Sequence, residues 1–191
     1  MPTREFYVAV LAVLALAGAT RAQAQSSYGI GRPATPVEIT GWNIDIDRDG
    51  NNLPPGSGSV SRGREVFKQQ CSACHGAKGE GGVGDKLVGG QGTLATPKPI
   101  RTVGSYWPYA PTLFDYVRRA MPQNAPQSLS NEDVYAVSAY ILNLNGLLPP
   151  DGTLDAKTLS AIKMPNRNRF VGDSRPDVKN PECMTGCSGN K

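Results

Sequence analysis

The sequence has little of several features from which a function is usually inferred. Its 191 residues include one histidine, four cysteines and two tryptophans, and aromatic residues make up only 7%. The net charge is +4 without any dense cluster of lysine and arginine, so no nucleic-acid partner is expected. Because 22 glycines and 16 prolines interrupt regular structure, we expect long loops around one modest core.

A long apolar run is also missing. The most apolar segment, from Phe6 to about Ala19, is shorter than the ~20 residues that a membrane-spanning helix needs. Arg4 precedes it and the small-residue sequence AQA follows at residues 22–24, which together predict a cleaved signal peptide over residues 1–24. The alternative is an uncleaved anchor. With cleavage, no membrane span remains, and the cysteines mature in an oxidising compartment.

The remaining sequence predicts an all-α domain with two flanking segments. Residues 25–57 are rich in turn formers and are interpreted as an extended arm that ends in a flexible linker. Residues 58–148 contain three predicted helices, over Ser61–Cys71, from Thr112 to about Ala120, and after Ser130. Residues 149–191 show no period and are interpreted as an irregular C-terminal tail.

The third helix has the clearest signals. Ser130 is a predicted N-cap with Asp133 three residues later, and Gly146 is a predicted C-terminal stop. Apolar residues recur every three to four positions and predict one buried face, formed by Val134, Val137, Ile141 and Leu144. The second helix is predicted to begin with a similar cap, Thr112 followed by Asp115.

The only histidine belongs to the sequence CSACH at residues 71–75, which is the attachment motif of c-type haem. In this motif Cys71 and Cys74 form thioethers with the two vinyl groups of the haem, and His75 binds the iron. The large apolar ring would supplement a small core. A long glycine-rich loop after the motif can lie against the ring with little side-chain bulk.

Two other interpretations of the cysteines remain. A thioredoxin-like redox pair needs a βαβ pattern, which the sequence does not show. A zinc site could combine Cys71 and Cys74 with Cys183 and Cys187, although that second pair has a different spacing and is expected to form a local disulfide in an oxidising compartment. The haem interpretation accounts best for the histidine.

A haem iron held by one histidine needs a second axial ligand or an open position. Three methionines follow the signal peptide, Met121, Met164 and Met184, and Met121 lies where a predicted helix is ended by Pro122. We therefore predict His75 and Met121 as iron ligands, with Met164 or an open position as alternatives. His/Met ligation raises the reduction potential and favours electron transfer over chemistry at the iron.

These residues resemble the class I cytochromes c. Gly63 and Phe67 lie before the motif at the spacing by which that family packs its first helix on its last, and Val137 and Tyr140 occupy the matching positions. The resemblance implies an all-α fold, one covalently attached haem c and no catalytic residues. The family's proline after the motif, whose carbonyl orients the histidine, is replaced here by GVGDKLVGG.

A closer resemblance covers most of the mature chain. The segments TVGSYWPYAPTLFDYVRRAMP, SLSNEDVYAVSAYILNLNG and CMTGC look like the cytochrome subunit of Sox-type sulfur dehydrogenase, the SoxD family. Members of that family pass electrons from a molybdenum-containing subunit, which oxidises sulfur compounds or sulfite in the periplasm, to a downstream cytochrome. Many carry two haems, whereas the single motif here implies one.

The resemblance implies a periplasmic monohaem cytochrome that acts as the haem subunit of a molybdenum-dependent sulfur or sulfite dehydrogenase. The alternative is a free-diffusing periplasmic electron carrier with no permanent partner. Such a carrier would not need the long segments on either side of the domain, which favours the first interpretation.

Overall fold

The computed structural model describes residues 31–173. The predicted signal peptide over residues 1–24 and the predicted Cys183–Cys187 disulfide lie outside the described residues. The chain divides into two units, one that ends at Asn43 and one that begins at Ile44. Among residues 31–173, none of the helices has both the length and the apolarity to cross a bilayer.

The first unit contains a short helix, α1 (Pro36–Trp42), in the segment predicted to be extended. A capping box starts it, because the Thr35 hydroxyl accepts from the Glu38 amide while the Glu38 carboxylate accepts from the Thr35 amide at 2.8 Å. The Arg32 guanidinium, and after it the Thr35 amide, lowers the pKa of Glu38 to about 2. No residue of this helix is buried.

The second unit begins with residues that were predicted to belong to an extended arm. Ile46 is instead buried, and its amide donates to the buried carboxylate of Asp115 at 3.0 Å. The acidic turn that follows is closed by its own groups, since the carboxylate of Asp47 accepts from the backbone and side chain of Asn51. A buried isoleucine and a satisfied turn hold this segment in place, and neither produces a periodic pattern in the sequence.

Two consecutive helices carry the CSACH motif, α2 (Val60–Gln70) and the single turn α3 (Ser72–His75). The side chain of Ser59 caps α2 by accepting from the Arg62 amide at 3.2 Å. The helix therefore begins one residue before the predicted start at Ser61, and Ser59 rather than Ser61 is its cap. Both serines lie at the start of a helical pattern, and the backbone conformation decides between them.

The helix predicted to begin at Thr112, α4 (Ala110–Ala120), begins earlier and without the predicted capping box. Tyr109 is its N-cap and makes no side-chain capping bond, while the Thr112 hydroxyl donates to the Tyr109 carbonyl at 2.7 Å. Pro111 in the first turn is compatible with this start, since its missing amide is one of those left unpaired at a helix N-terminus.

The last long helix, α5 (Asn131–Leu144), has the predicted ends. Ser130 accepts from the Asp133 amide, and Gly146 follows with a φ of 72°. The burial is wider than one face, because every residue from Val134 to Leu142 is buried. This helix is therefore the centre of the core.

Helices α2 and α5 pack closely, as the resemblance implied. A β-carbon at Gly63 would collide with the carbonyl oxygen of Ala136, and the rings of Phe67 and Tyr140 meet edge to face with centroids 5.4 Å apart. Glycine at position 63 therefore permits the close crossing, and the Phe67–Tyr140 pair lies beside it.

The segment predicted as an irregular tail begins with regular structure. Strand β1 (Ser57–Ser59) pairs antiparallel with β2 (Thr153–Asp155), and helix α6 (Ala156–Ala161) follows with a capping box from Asp155 to Thr158. Leu154 and Leu159 are fully buried. These elements are too short to show a period, so sequence reasoning missed them. The predicted all-α class is confirmed, with this two-stranded ribbon as an addition.

Candidate haem-binding site

The two cysteines of the motif lie at the start of α3, Cys71 as its N-cap and Cys74 within it. Cys71 ends α2, its amide donating to the Phe67 carbonyl at 2.9 Å, and the His75 amide donates to the Cys71 carbonyl at 3.0 Å. Both thiols are free, Cys71 being partly buried and Cys74 exposed. Side chains three residues apart on a helical turn share a face, so the two sulfurs can reach one flat ligand.

The chemistry of Cys71 argues against a redox-active thiol pair. Burial, and after it the neighbouring Cys74, raises the pKa of the Cys71 thiol to about 11. Reactive cysteines instead have a lowered pKa in an electropositive setting. Within the described part of the chain, no three His, Cys, Asp or Glu side chains converge to bind a metal ion. The zinc alternative needs Cys183 and Cys187, which lie outside that part.

The imidazole of His75 is oriented by the backbone of the glycine-rich loop. Its Nδ1 lies 2.7 Å from the carbonyl oxygen of Asp85. A carbonyl can only accept, so Nδ1 carries the proton and Nε2 keeps its lone pair for a metal. The backbone carbonyl of Asp85, and not its carboxylate, therefore has the role that the proline carbonyl has in the class I cytochromes c.

Glycines hold this loop against the motif. The Gly84 amide donates to the Cys74 carbonyl at 2.8 Å, and the Gly81 amide donates to the His75 carbonyl at 2.7 Å. A β-carbon at Gly84 would lie 2.9 Å from Cε1 and 3.0 Å from Nδ1 of His75. The loop thus packs backbone against the imidazole ring, an arrangement that a larger residue at position 84 would disturb.

Met121 lies on a separate segment, directly after α4. Its amide donates to the Val117 carbonyl at 3.1 Å, its peptide bond to Pro122 is cis, and its side chain packs partly buried against the core. Met164 is 3% exposed and belongs to the hydrophobic core itself. Met184 lies outside the described residues. Met121 as the second iron ligand therefore stays a prediction.

These residues fit a covalently attached haem. Two free thiols lie on neighbouring helical turns, the histidine beside them has Nε2 available, and glycine backbone packs against its imidazole. Cys71 and Cys74 would hold the group by thioether bonds, and His75 would bind its iron. When bound, haem supplies reversible one-electron exchange at that iron.

Sequence reasoning identified Cys71, Cys74 and His75 but missed the residues that orient them. Gly84 and Asp85 act through their backbones, so no side-chain pattern marks them. The many glycines after the motif were the available signal. They indicated that the loop backbone approaches another group closely, but they did not identify that group as His75.

The chain is similar to known proteins over the residues that carry this site. A family model described as "Cytochrome C oxidase, cbb3-type, subunit III" matches residues 58–141. A chain in the crystal structure of the sulfane dehydrogenase SoxCD from Paracoccus pantotrophus is 40% identical, with a TM-score of 0.72. That match covers 86% of this chain and 84% of the other. No curated protein matches significantly.

Proposed function

This chain belongs to the cytochrome c family and has the class I fold, and we propose that it is the haem subunit of a molybdenum-dependent sulfur or sulfite dehydrogenase in the periplasm. It would carry single electrons from the molybdenum-containing subunit to a downstream cytochrome, through one haem c. The supporting observation is the 40% identity to a chain of SoxCD over most of both chains.

The site supports electron transfer rather than catalysis. His75 is fixed by the Asp85 carbonyl, and the predicted second ligand, Met121, would leave no position on the iron for a substrate. The groups that hold the imidazole of His75 are backbone groups, the Asp85 carbonyl and Gly84, which position the ring. The chain's own contribution is to bind the group and orient the histidine.

Helix α1 supports a permanent partner. It is capped at its start by the Thr35–Glu38 box, yet Ile39 and Trp42, three residues apart on one face, are 55% and 87% exposed. Apolar side chains displayed together on a preformed helix are typical of a surface that another protein covers. A free-diffusing carrier has no need for such a helix ahead of its domain.

The experiment is purification of the tagged mature protein from periplasm, followed by metal analysis. We expect one iron for each chain, covalently bound haem, and a co-purifying subunit that contains molybdenum. Iron without molybdenum would support the free-diffusing carrier instead. If the protein contains neither iron nor molybdenum, only the redox-pair and zinc interpretations of the cysteines would remain.

A matched pair of variants tests the role of α1. Trp42→Ser should lower the yield of the molybdenum subunit at unchanged haem content, because the change removes an exposed apolar side chain from the helix. Val171→Ser is the control, since Val171 is 89% exposed but lies after the domain. An equal loss of partner with both variants, or no loss with Trp42→Ser, would contradict the proposed docking role of α1.

A further inference from the structure

Asn145 connects the end of the longest helix to the loop that orients His75. It follows α5 and is 8% exposed. Its side-chain amide donates to the Leu87 carbonyl at 3.1 Å and to the Ile141 carbonyl at 2.9 Å. Its carbonyl oxygen accepts from the Gly89 amide at 3.2 Å. One side chain therefore joins the core helix to two residues of the loop.

The loop residues that Asn145 holds lie directly after Asp85. Leu87 is two residues from the carbonyl that accepts from His75, and the Leu87 amide donates to the Gly79 carbonyl at 2.9 Å. Gly89 is held a second time, since the Thr102 hydroxyl donates to its carbonyl at 2.6 Å. The segment from Asp85 to Gly89 is thus anchored immediately beyond the His75 bond.

The space around Asn145 is shaped for this residue. A β-carbon at Gly104 would collide with the side-chain oxygen of Asn145, so a glycine leaves room for it. Asparagine supplies a donor and an acceptor on one short side chain, which the Leu87 carbonyl and the Gly89 amide both require. Replacement of Asn145 would leave the partly buried Leu87 carbonyl and Gly89 amide without these bonds.

We propose that Asn145 is a positioning residue for the haem ligand His75. It fixes the segment after Asp85, so that the Asp85 carbonyl stays within bonding distance of Nδ1. This inference rests on the proposed function only in taking His75 as the iron ligand. A histidine that donates from Nδ1 to a fixed acceptor is a stronger electron donor to the metal, which lowers the reduction potential.

The test compares Asn145→Ala with Asn143→Ala in the purified haem-containing protein. Asn143 lies two residues earlier, in the last turn of α5, and its side chain donates to the Leu148 carbonyl at 2.9 Å, away from the histidine loop. Asn145→Ala should raise the reduction potential and speed hydrogen exchange of the Gly89 amide roughly tenfold, as the loss of one buried bond implies. Asn143→Ala should leave both unchanged.

Equal shifts of potential in the two variants would overturn the proposal, because they would reflect general loosening of the helix end. So would an unchanged potential in Asn145→Ala. If that variant does not fold, Thr102→Val and Thr102→Ser replace it. The valine removes the hydroxyl bond to Gly89 and should raise the potential, whereas the serine keeps the hydroxyl and should not; the absence of this difference also overturns the proposal.

This test is independent of the molybdenum partner. The potential and the exchange rate are measured on the isolated cytochrome, so absence of a partner would refute the proposed function and leave these results intact. Conversely, an Asn145→Ala protein with unchanged potential that still co-purifies with molybdenum would refute the inference alone.

Discussion

The two sides of the candidate site are built differently. On the histidine side, the motif and its loop share a dense set of bonds, including Nδ1 of His75 to the Asp85 carbonyl at 2.7 Å and the Gly84 amide to the Cys74 carbonyl at 2.8 Å. On the methionine side, the segment after Met121 is held by local turns, in which the Ala125 amide donates to the Pro122 carbonyl at 2.9 Å.

The difference lies in bonding rather than in exposure, because residues 82, 83, 85 and 86 of the glycine-rich loop are exposed as well. Residues 123–128 are all exposed, and Gln127 has a φ of 63°, in the left-handed region that favours glycine. The glycine-rich loop after the motif packs its backbone against the imidazole of His75. The histidine is therefore oriented by the protein, whereas the predicted methionine ligand, Met121, is followed by a segment held by local turns. Substitutions near His75 and near Met121 should therefore differ in their effects on the spectrum, the reduction potential and the free energy of unfolding.

The largest effect should separate Met121 from Met164. Met121→Ala should abolish the methionine–iron charge-transfer band and lower the reduction potential, because the thioether ligand raises it. Met164 is 3% exposed in the core, so Met164→Ala should leave the spectrum intact and lower the free energy of unfolding by roughly 2–5 kcal/mol. Absorption spectra and denaturant titrations measure the two quantities. Loss of the band in Met164→Ala would make Met164 the ligand.

The sequence predicted the parts of this molecule that local chemistry dictates. CSACH is fixed by the spacing that thioether attachment requires, and the helix from Ser130 to Gly146 is fixed by its caps and apolar period. The motif and the caps lie within a few residues of the structure that they specify. The crossing at Gly63, which meets Ala136 far along the chain, was predicted only from the resemblance to the class I cytochromes c.

The parts that were missed depend on long-range pairing. The two-stranded ribbon pairs Ser57 with Asp155. The side chain of Asn145 bonds to the Leu87 carbonyl in the loop that orients His75. No local pattern relates positions so far apart. The buried Ile46 was likewise hidden in a segment of turn formers. The acceptor for His75 was not predictable from residue type, because the carbonyl of Asp85 is a group that every residue carries.

An intermediate effect is expected at the histidine side from Gly84→Ala. Position 84 has a backbone conformation open to any residue, so the new methyl group acts by contact, 2.9 Å from Cε1 of His75. The ring or the loop must shift, which should change the reduction potential and lower the free energy of unfolding by roughly 1–3 kcal/mol. Gly172→Ala is the control, since nothing lies within 4 Å of its β-carbon position. A potential equal to that of the control would show that the loop adapts without moving the histidine.

The smallest effect is expected at the methionine side from Gln127→Gly. Glycine adopts a φ of 63° without steric cost, but it also increases the freedom of the unfolded chain. The relief of strain in the folded state is partly cancelled by the greater entropy of the unfolded chain. The free energy of unfolding should therefore rise by about 0.5 kcal/mol. Asn52→Gly, at a φ of 67°, should gain less because asparagine already tolerates this conformation. The reduction potential should stay constant in both. A changed reduction potential in Gln127→Gly would mean that the exposed segment positions Met121 as firmly as the glycine-rich loop positions His75. The proposed difference between the two sides of the site would then be wrong.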